Sequence, residues 1–239
     1  MPRFFCDSIG EREAIIIGDD AKHISRSLRM KVGDEIVLCD KNGLDYLCEI
    51  KSISEEITCK IASSKPSISE PDIKVTLFQA LPKSDKLEMI IQKTVELGVC
   101  EIVPVITNRC VSRPDEKSMQ KKIDRYSKIS LEAAKQSGRG TVPKISDALL
   151  FKDAVEIIKE LDIGILFYEG GGIRLADIDF CGVKSIGIII GAEGGFDPDE
   201  VKLCESSGII KASLGPRILR CETAPIAALS ILMNITKNM

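Results

Sequence analysis

Through the first sixty residues the apolar positions come in short runs. Ala14-Ile15-Ile16-Ile17 is mostly β-branched, Ile36-Val37-Leu38-Cys39 follows Gly33-Asp34, and two further runs lie over 44–51 and 57–62. Runs of this length and composition predict strands. Lys41-Asn42-Gly43 separates two of them, and Asn-Gly suits a hairpin turn because both central positions take positive φ. Closely spaced short strands predict a small β-barrel, interrupted by one helix over 23–30. Residues 63–72 (Ser-Ser-Lys-Pro-Ser-Ile-Ser-Glu-Pro-Asp) are polar and hold two prolines, which predicts a linker and a domain boundary. From Ile73 the rhythm lengthens. Strands are predicted over 74–80, 101–106, 163–168, 186–190 and 209–212, an amphipathic helix over 86–97 and a charged helix over 116–136. Strands alternating with helices predict an α/β domain with a mostly parallel sheet. The chain thus divides into a β-barrel over 1–70 and an α/β domain over 73–239.

Composition removes several classes. Hydrophobic residues make up 44% of the 239, enough for a core in each domain. No apolar run approaches the length of a membrane span, and the first ten residues hold no signal-peptide core. The cysteine count is nine, with no CxxC pair, and His23 is the only histidine. That argues against a zinc site and for free thiols in a reducing cytoplasm. It also argues against a histidine-based triad, for which His23 alone would be available. The net charge of −3 argues against a nucleic-acid coat protein. The sum conceals a division, however. Ten basic and four acidic residues lie within 109–144, so that segment is +6 and the remainder is −9.

Three glycine-bearing segments follow predicted strands: Glu169-Gly170-Gly171-Gly172, Gly191-Ala192-Glu193-Gly194-Gly195 and Ser213-Leu214-Gly215-Pro216-Arg217-Ile218-Leu219-Arg220. Ligands of open α/β sheets lie at the carboxyl ends of strands, and glycine there lets backbone groups approach a ligand. Neither GxxxxGK[ST] nor GxGxxG occurs, which disfavours an NTPase and a nicotinamide oxidoreductase. Asp197-Pro198-Asp199-Glu200 reads as a helix start with Asp197 as cap and Glu200 completing a capping box. The helix over 223–233 is apolar almost all round. It must be buried, in its own domain or in a subunit interface.

Taken together, these segments resemble the RsmE family of RNA methyltransferases, within the SPOUT superfamily. The resemblance runs almost the whole length. It is carried by His23-Ile24-Ser25-Arg26-Ser27-Leu28-Arg29 with Gly33-Asp34, and by Lys83 to Lys86 with Glu88, Lys93 and Glu96-Leu97-Gly98. Arg109, Glu132-Ala133-Ala134-Lys135-Gln136-Ser137-Gly138-Arg139, Gly191-Ala192-Glu193-Gly194-Gly195 and Leu214-Gly215 through Glu222-Thr223-Ala224 complete it. Ala192, Ser27 and Cys221 stand where the family commonly has Pro, Val and Thr.

The resemblance implies a PUA-like N-terminal barrel for RNA binding and a SPOUT α/β domain with a trefoil knot in the loops about 166–223. It implies a cytoplasmic homodimer, with no metal and no membrane, acting on small-subunit ribosomal RNA or the assembled small subunit. The implied reaction is S-adenosylmethionine-dependent methylation of uridine N3. Implied cofactor-binding residues are Leu166, Phe167, Glu169, Gly170, Gly191, Glu193, Gly194, Gly195, Leu214, Gly215, Ile218, Leu219, Arg220 and Thr223. Arg220 or Arg139 is expected to stabilise a uridine anion, and Glu193 to act as base or substrate-orienting group. Lys22, His23, Arg26, Arg29, Arg109 and Arg139 are expected to meet RNA. Arg26 and Arg29, three apart, are expected on one helical face. The alternatives are another target atom (ribose 2′-OH or guanosine N1) and a non-catalytic RNA-binding relative.

Overall fold

The structure is a computed structural model describing residues 1–239. The chain forms two compact units, one of Met1–Glu70 with Ala134–Val142, the other of Pro71–Ala133 with Pro143–Met239.

The first unit holds six strands: β1 (Arg3–Phe5), β2 (Ser8–Ile9), β3 (Glu13–Ile16), β4 (Glu35–Cys39), β5 (Leu44–Ile53) and β6 (Ile57–Pro66). They pair in the order β1-β4-β5-β6-β3-β2. The two edge strands are separated in sequence only by Cys6 and Asp7. That connection spans at most about 11 Å, whereas the edges of a flat six-stranded sheet stand about 24 Å apart. The sheet therefore curls on itself, as the predicted barrel requires. Alternation fills its inside. Ala14 and Ile16 are buried while Ile15 and Ile17 are exposed, and Ile36, Leu38, Cys48, Ile50, Ile57 and Cys59 complete the core. The expected linker begins later than its composition suggests, because β6 runs to Pro66 and pairs it with Leu44. Its last residues are exposed on both faces, so the ladder continues without a hydrophobic alternation to announce it.

The helix expected over 23–30 begins earlier, as α1 (Gly18–Lys22), and widens into a π-helical turn over His23–Ser27. Leu28 N–H donates to His23 O at 2.9 Å, and Arg29 turns to φ +53°. Arg26 and Arg29 therefore do not share an α-helical face, contrary to the three-residue spacing argument, which holds only for an unbroken α-helix.

Glu70 fastens the segment Ala134–Val142. Its carboxylate accepts from Arg139 Nε at 2.9 Å, Arg139 Nη2 at 2.7 Å, Gly140 N–H at 2.6 Å and Thr141 Oγ1 at 2.7 Å. Arg3 also donates to the Arg139 carbonyl, and to Asp45 Oδ1 at 2.6 Å.

The second unit holds β7 (Lys74–Ala80), β8 (Glu101–Ile106), β9 (Lys144–Ile145), β10 (Leu149–Leu150), β11 (Ile163–Phe167), β12 (Ile173–Arg174), β13 (Ser185–Ile190) and β14 (Ile210–Ser213). All pairs are parallel, in the order β10-β8-β7-β13-β11-β14-β12 with β9 beside β8. Its helices are α2 (Lys86–Glu96), α4 (Phe151–Lys159), α5 (Pro198–Ser206) and α6 (Thr223–Ile235), while α3 (Glu116–Ser137) carries the chain on into Ala134–Val142. The central strands are covered on both faces, so Ile186 and Ile188–190 form a nearly continuous buried run. Phe78, Phe151, Leu166, Ile189 and Phe196 fill one core, with the Phe151 and Phe196 rings 5.9 Å apart.

Helix α6 is buried along one face only. Pro225, Ala228, Leu229, Leu232 and Met233 are buried, while Ile226 and Ala227 are half-buried and Ile231 is exposed.

Candidate functional site

β7, β13, β11 and β14 are neighbours in one parallel sheet, so the segments leaving their carboxyl ends gather at one edge. These are residues 81–85, 191–197, 168–172 and 214–222. They enclose a cavity of about 540 Å³ lined by 167–169, 190–195 and 213–221, with Lys86 and Ala224. That volume lies in the range of small-molecule sites.

The glycines of segment 191–195 are closely approached by neighbouring groups. A Cβ on Gly195 would collide with the Glu169 carboxylate, one on Gly191 would come within 3.1 Å of the Phe196 ring, and one on Gly194 within 3.1 Å of Arg109 Cβ. At Gly195 the backbone also takes φ +62°, a conformation that favours glycine. The segment then enters α5 through the expected capping box. Asp197 accepts from Asp199 N–H at 3.1 Å, and Glu200 accepts from Asp197 N–H at 2.9 Å. Glu200 is buried and also accepts from Asn108 N–H at 2.7 Å. It therefore ties the β8–α3 connection to the start of α5. Arg109 adds a second tie, donating from Nη1 to Gly194 O at 3.1 Å.

Charge in the cavity is organised around Lys86, the first residue of α2. Its Nζ lies 2.8 Å from Glu193 Oε1 and 3.5 Å from Glu222 Oε2, and Glu193 also accepts from Lys83 N–H at 3.2 Å. Partial burial pushes the Glu193 carboxyl up, but the Lys86 ammonium and two backbone N–H groups outweigh it and hold the group below the usual carboxylate range. Cys221 is buried, and burial, followed by its hydrogen bond to Glu222, pushes its thiol up to about 12. It is an inert thiol. Arg217 and Arg220 are exposed and make no ion pair; Glu222 meets Lys86 and Cys221 instead.

The sequence-derived candidates separate into two groups. Phe167, Glu169, Gly191, Glu193, Gly194, Gly195, Leu214, Gly215, Ile218, Leu219 and Arg220 all line the cavity. Leu166, Gly170 and Thr223 do not. Leu166 points into the core, Gly170 lies against the Tyr168 ring, and Thr223 is the exposed first residue of α6. Arg139 is 3% exposed, faces Glu70 within the first unit and is not among the residues lining the cavity. Arg109 braces a loop. Lys22, His23, Arg26 and Arg29 are exposed, with Lys22 3.1 Å from Asp19 and the His23 ring edge-on to Phe4. Residues that sequence reasoning left without a role, Lys86 and Arg217, line the cavity. Lys86 lies inside the Lys83–Lys86 block, and the signal that marks it is its place one turn beyond the end of a central strand.

Within the basic segment 109–144, six of the ten cations are engaged. Arg109 and Arg113 bond backbone carbonyls, Arg125 lies 2.8 Å from Glu88, Lys144 lies 3.3 Å from Glu101, Lys135 faces Asp20 and Arg139 faces Glu70. Lys117, Lys121, Lys122 and Lys128 make no ion pair, and the first, second and fourth share one face of α3.

Known proteins match this architecture along its length. Residues 69–233 match the family model of the RNA methyltransferase domain, and residues 16–62 that of the RNA methyltransferase PUA domain. The ribosomal RNA small subunit methyltransferase E of Bacillus subtilis is 37% identical over 224 residues, covering 90% of this chain and 87% of its own. That of Mesomycoplasma hyopneumoniae is 35% identical over 234 residues, covering 96% and 98%. The Neisseria gonorrhoeae ribosomal RNA small subunit methyltransferase E, solved bound to S-adenosylmethionine, superposes with a TM-score of 0.87 at 27% identity, covering 98% and 97%. A Legionella pneumophila methyltransferase in complex with the same cofactor gives 0.83 at 29% identity, covering 97% and 96%. The cavity at the strand ends, the fold of both units and these matches together establish that the chain belongs to the ribosomal RNA small subunit methyltransferase E family of RNA methyltransferases.

Proposed function

We propose that this protein uses S-adenosylmethionine to methylate N3 of a uridine in 16S ribosomal RNA of the small subunit. The observation that carries the reading is the cavity at the strand ends, where an exposed, ion-pair-free Arg220 stands beside a glycine-rich wall. The division of labour is a PUA-like RNA-binding unit, the expected 1–70 joined by 134–142, and a methyltransferase unit formed by the rest of the chain.

The cavity fits the cofactor chemically. Backbone groups of 191–195 and 213–219 suit an adenosyl group, Arg217 suits a carboxylate, and Glu169, which makes no hydrogen bond of its own, suits hydroxyl or ammonium donors. When bound, the cofactor supplies an electrophilic methyl on a sulfonium. The chain's residues do the rest. Arg220 stabilises negative charge on the uracil oxygens as the N3 proton leaves. Glu193, held ionised by Lys86, is too weak a base to drive that removal and acts as an anchor of the cavity wall. Methylation of small subunits lacking the modification, with nucleoside mass spectrometry, is expected to yield N3-methyluridine. A ribose 2′-O-methyl or N1-methylguanosine product overturns the target atom, and absence of cofactor binding in calorimetry overturns the enzyme.

The same reading carries a trefoil knot in the loops about 166–223, a homodimer and a cytoplasmic location. The half-buried Ile226 and Ala227 and the exposed Ile231 on α6 support the dimer, since they leave an apolar face for a second copy. No helix is long and apolar enough to cross a membrane.

RNA binding rests on exposed cations that make no ion pair, Arg26 and Arg29 on the first unit and Lys117, Lys121 and Lys128 on α3. With about four phosphates engaged, raising salt from 50 to 200 mM is expected to weaken binding of a ribosomal RNA fragment about 50-fold. A flat salt profile rejects these cations as the RNA contacts. Arg109 behaves differently. Arg109→Met is expected to weaken cofactor binding about three- to tenfold by loosening Gly194, with the salt slope of RNA binding unchanged. A reduced slope returns Arg109 to the RNA surface.

A further inference from the structure

Lys86 lines the cavity and is bonded to two carboxylates, Glu193 of the wall and Glu222 beside the lining residue Cys221, and each carboxylate belongs to a different segment. Glu193 lies in the segment after β13, and Glu222 in the segment entering α6. Lys86 itself comes from a third, the start of α2, which follows a residue in the left-handed region (Ser84, φ +57°). Glu193 is fixed to that start twice, by Lys86 Nζ and by Lys83 N–H. Glu222 is fixed by Lys86 and by the Cys221 thiol, 3.2 Å away.

From this geometry we propose that Lys86 is the positioning residue that locks the 191–195 and 213–222 segments together by bridging Glu193 and Glu222 with one ammonium, so that the cofactor-binding form of the cavity exists before the cofactor arrives. The inference rests on the cofactor reading above. The two carboxylates approach one ammonium, at 2.8 and 3.5 Å. Without it they become like charges held in one site, and one of them must either take up a proton or move away. The remaining charged groups near the cluster do not replace Lys86. Arg217 and Arg220 line the same cavity but pair with neither carboxylate, Glu169 (also lining it, against Gly195) and Asp85 add negative charge, Glu88 is engaged by Arg125, and α6, packed on α2, holds no charged residue. The Cys221 thiol stays neutral.

The role is separable from simple packing by pH and by second-site relief. Isothermal titration with S-adenosylmethionine is the readout. Lys86→Met is expected to raise the dissociation constant about 10- to 30-fold at pH 8, because a carboxyl displaced by one pKa unit corresponds to a tenfold change. The defect is expected to shrink to about threefold at pH 5.5, as one carboxyl of the unmasked pair takes up a proton. Glu222→Gln in the Lys86→Met background removes the repulsion and is expected to restore affinity to within about threefold at both pH values. Lys86→Arg is expected to keep near-normal affinity, and Lys86→Gln serves as a second neutral variant if the Met protein does not fold. A loss that is independent of pH and unrelieved by Glu222→Gln overturns the proposal in favour of simple packing or direct ligand contact. Unchanged affinity in Lys86→Met overturns it outright. A wild-type protein that does not bind the cofactor fails the underlying reading instead, so the two failures are distinguishable.

Discussion

Replacing Glu70 by alanine is expected to cost about 3–5 kcal/mol, the usual consequence of stripping one partner from a buried ion pair. For a chain of this size that lowers the melting temperature by on the order of 10 °C. The reason lies in what is left behind. Arg139 is 3% exposed and loses two hydrogen bonds to that carboxylate, and the Gly140 and Thr141 groups that donate to it lose their acceptor too. Glu70→Gln keeps the shape and part of the hydrogen bonding and should cost less. The pH dependence has a definite sign. Burial alone would raise the Glu70 carboxyl, but Arg139, Thr141 and the Gly140 N–H outweigh it and hold it below the usual carboxylate range. A carboxyl depressed in the folded state contributes stability above its unfolded pKa of about 4.3 and loses it as pH falls towards the folded value. The wild type should therefore shed this increment below about pH 4.5, and the gap between wild type and Glu70→Ala should narrow there. Thermal melts of the three proteins between pH 3.5 and 8 measure it, and a constant gap rejects the pair as its source.

Arg220→Ala is expected to reduce the rate of methyl transfer about 10²- to 10³-fold, the effect of removing one preorganised group aimed at developing charge. Affinity for the cofactor should change much less, about threefold, since backbone groups form most of the wall. Uridine N3 carries a proton at neutral pH and gives it up only in alkaline solution, so a cation that stabilises the anion matters most near neutrality. The deficit of Arg220→Ala should therefore shrink as pH rises, while wild type and variant converge. Single-turnover assays on unmodified small subunits, across pH 7 to 9.5, test both statements. A variant with wild-type rate would transfer the role to Arg217, which lines the same cavity without an ion pair.

Local chemistry was legible in the sequence, and distant pairing was not. The strands over 74–80 and 101–106 appear with the bounds their apolar runs predict, and the capping box of Asp197 and Glu200 is present because its partners lie three residues apart. The three glycine segments line one cavity because parallel strands deliver their carboxyl ends to one edge, a consequence of alternation alone. Arg139 is the instructive case. Its position in a basic stretch suggests an RNA or substrate contact, and the sequence gives no sign that it pairs with a carboxylate 69 residues earlier. Arg109 likewise meets a carbonyl 85 residues later. Lys86 went unassigned for the same reason, its partners lying 107 and 136 residues away in sequence. A count of +6 over 109–144 reports composition, whereas the exposed field depends on which of those cations the fold has already engaged.

The first unit is closed by Ala134–Val142, and this sets a schedule for its birth on the ribosome. Its strands have all been synthesised by Pro66 and the Glu70 carboxylate soon after, but the guanidinium that this carboxylate binds belongs to Arg139. At roughly 5–20 residues per second, the intervening stretch takes on the order of 4–14 s to make. Throughout that interval the curled sheet is complete in sequence yet lacks the piece that holds Glu70. The N-terminal unit cannot finish folding before Val142 is made, so a nascent chain halted near residue 100 should be protease-sensitive in its barrel, and one halted well beyond Val142 should not.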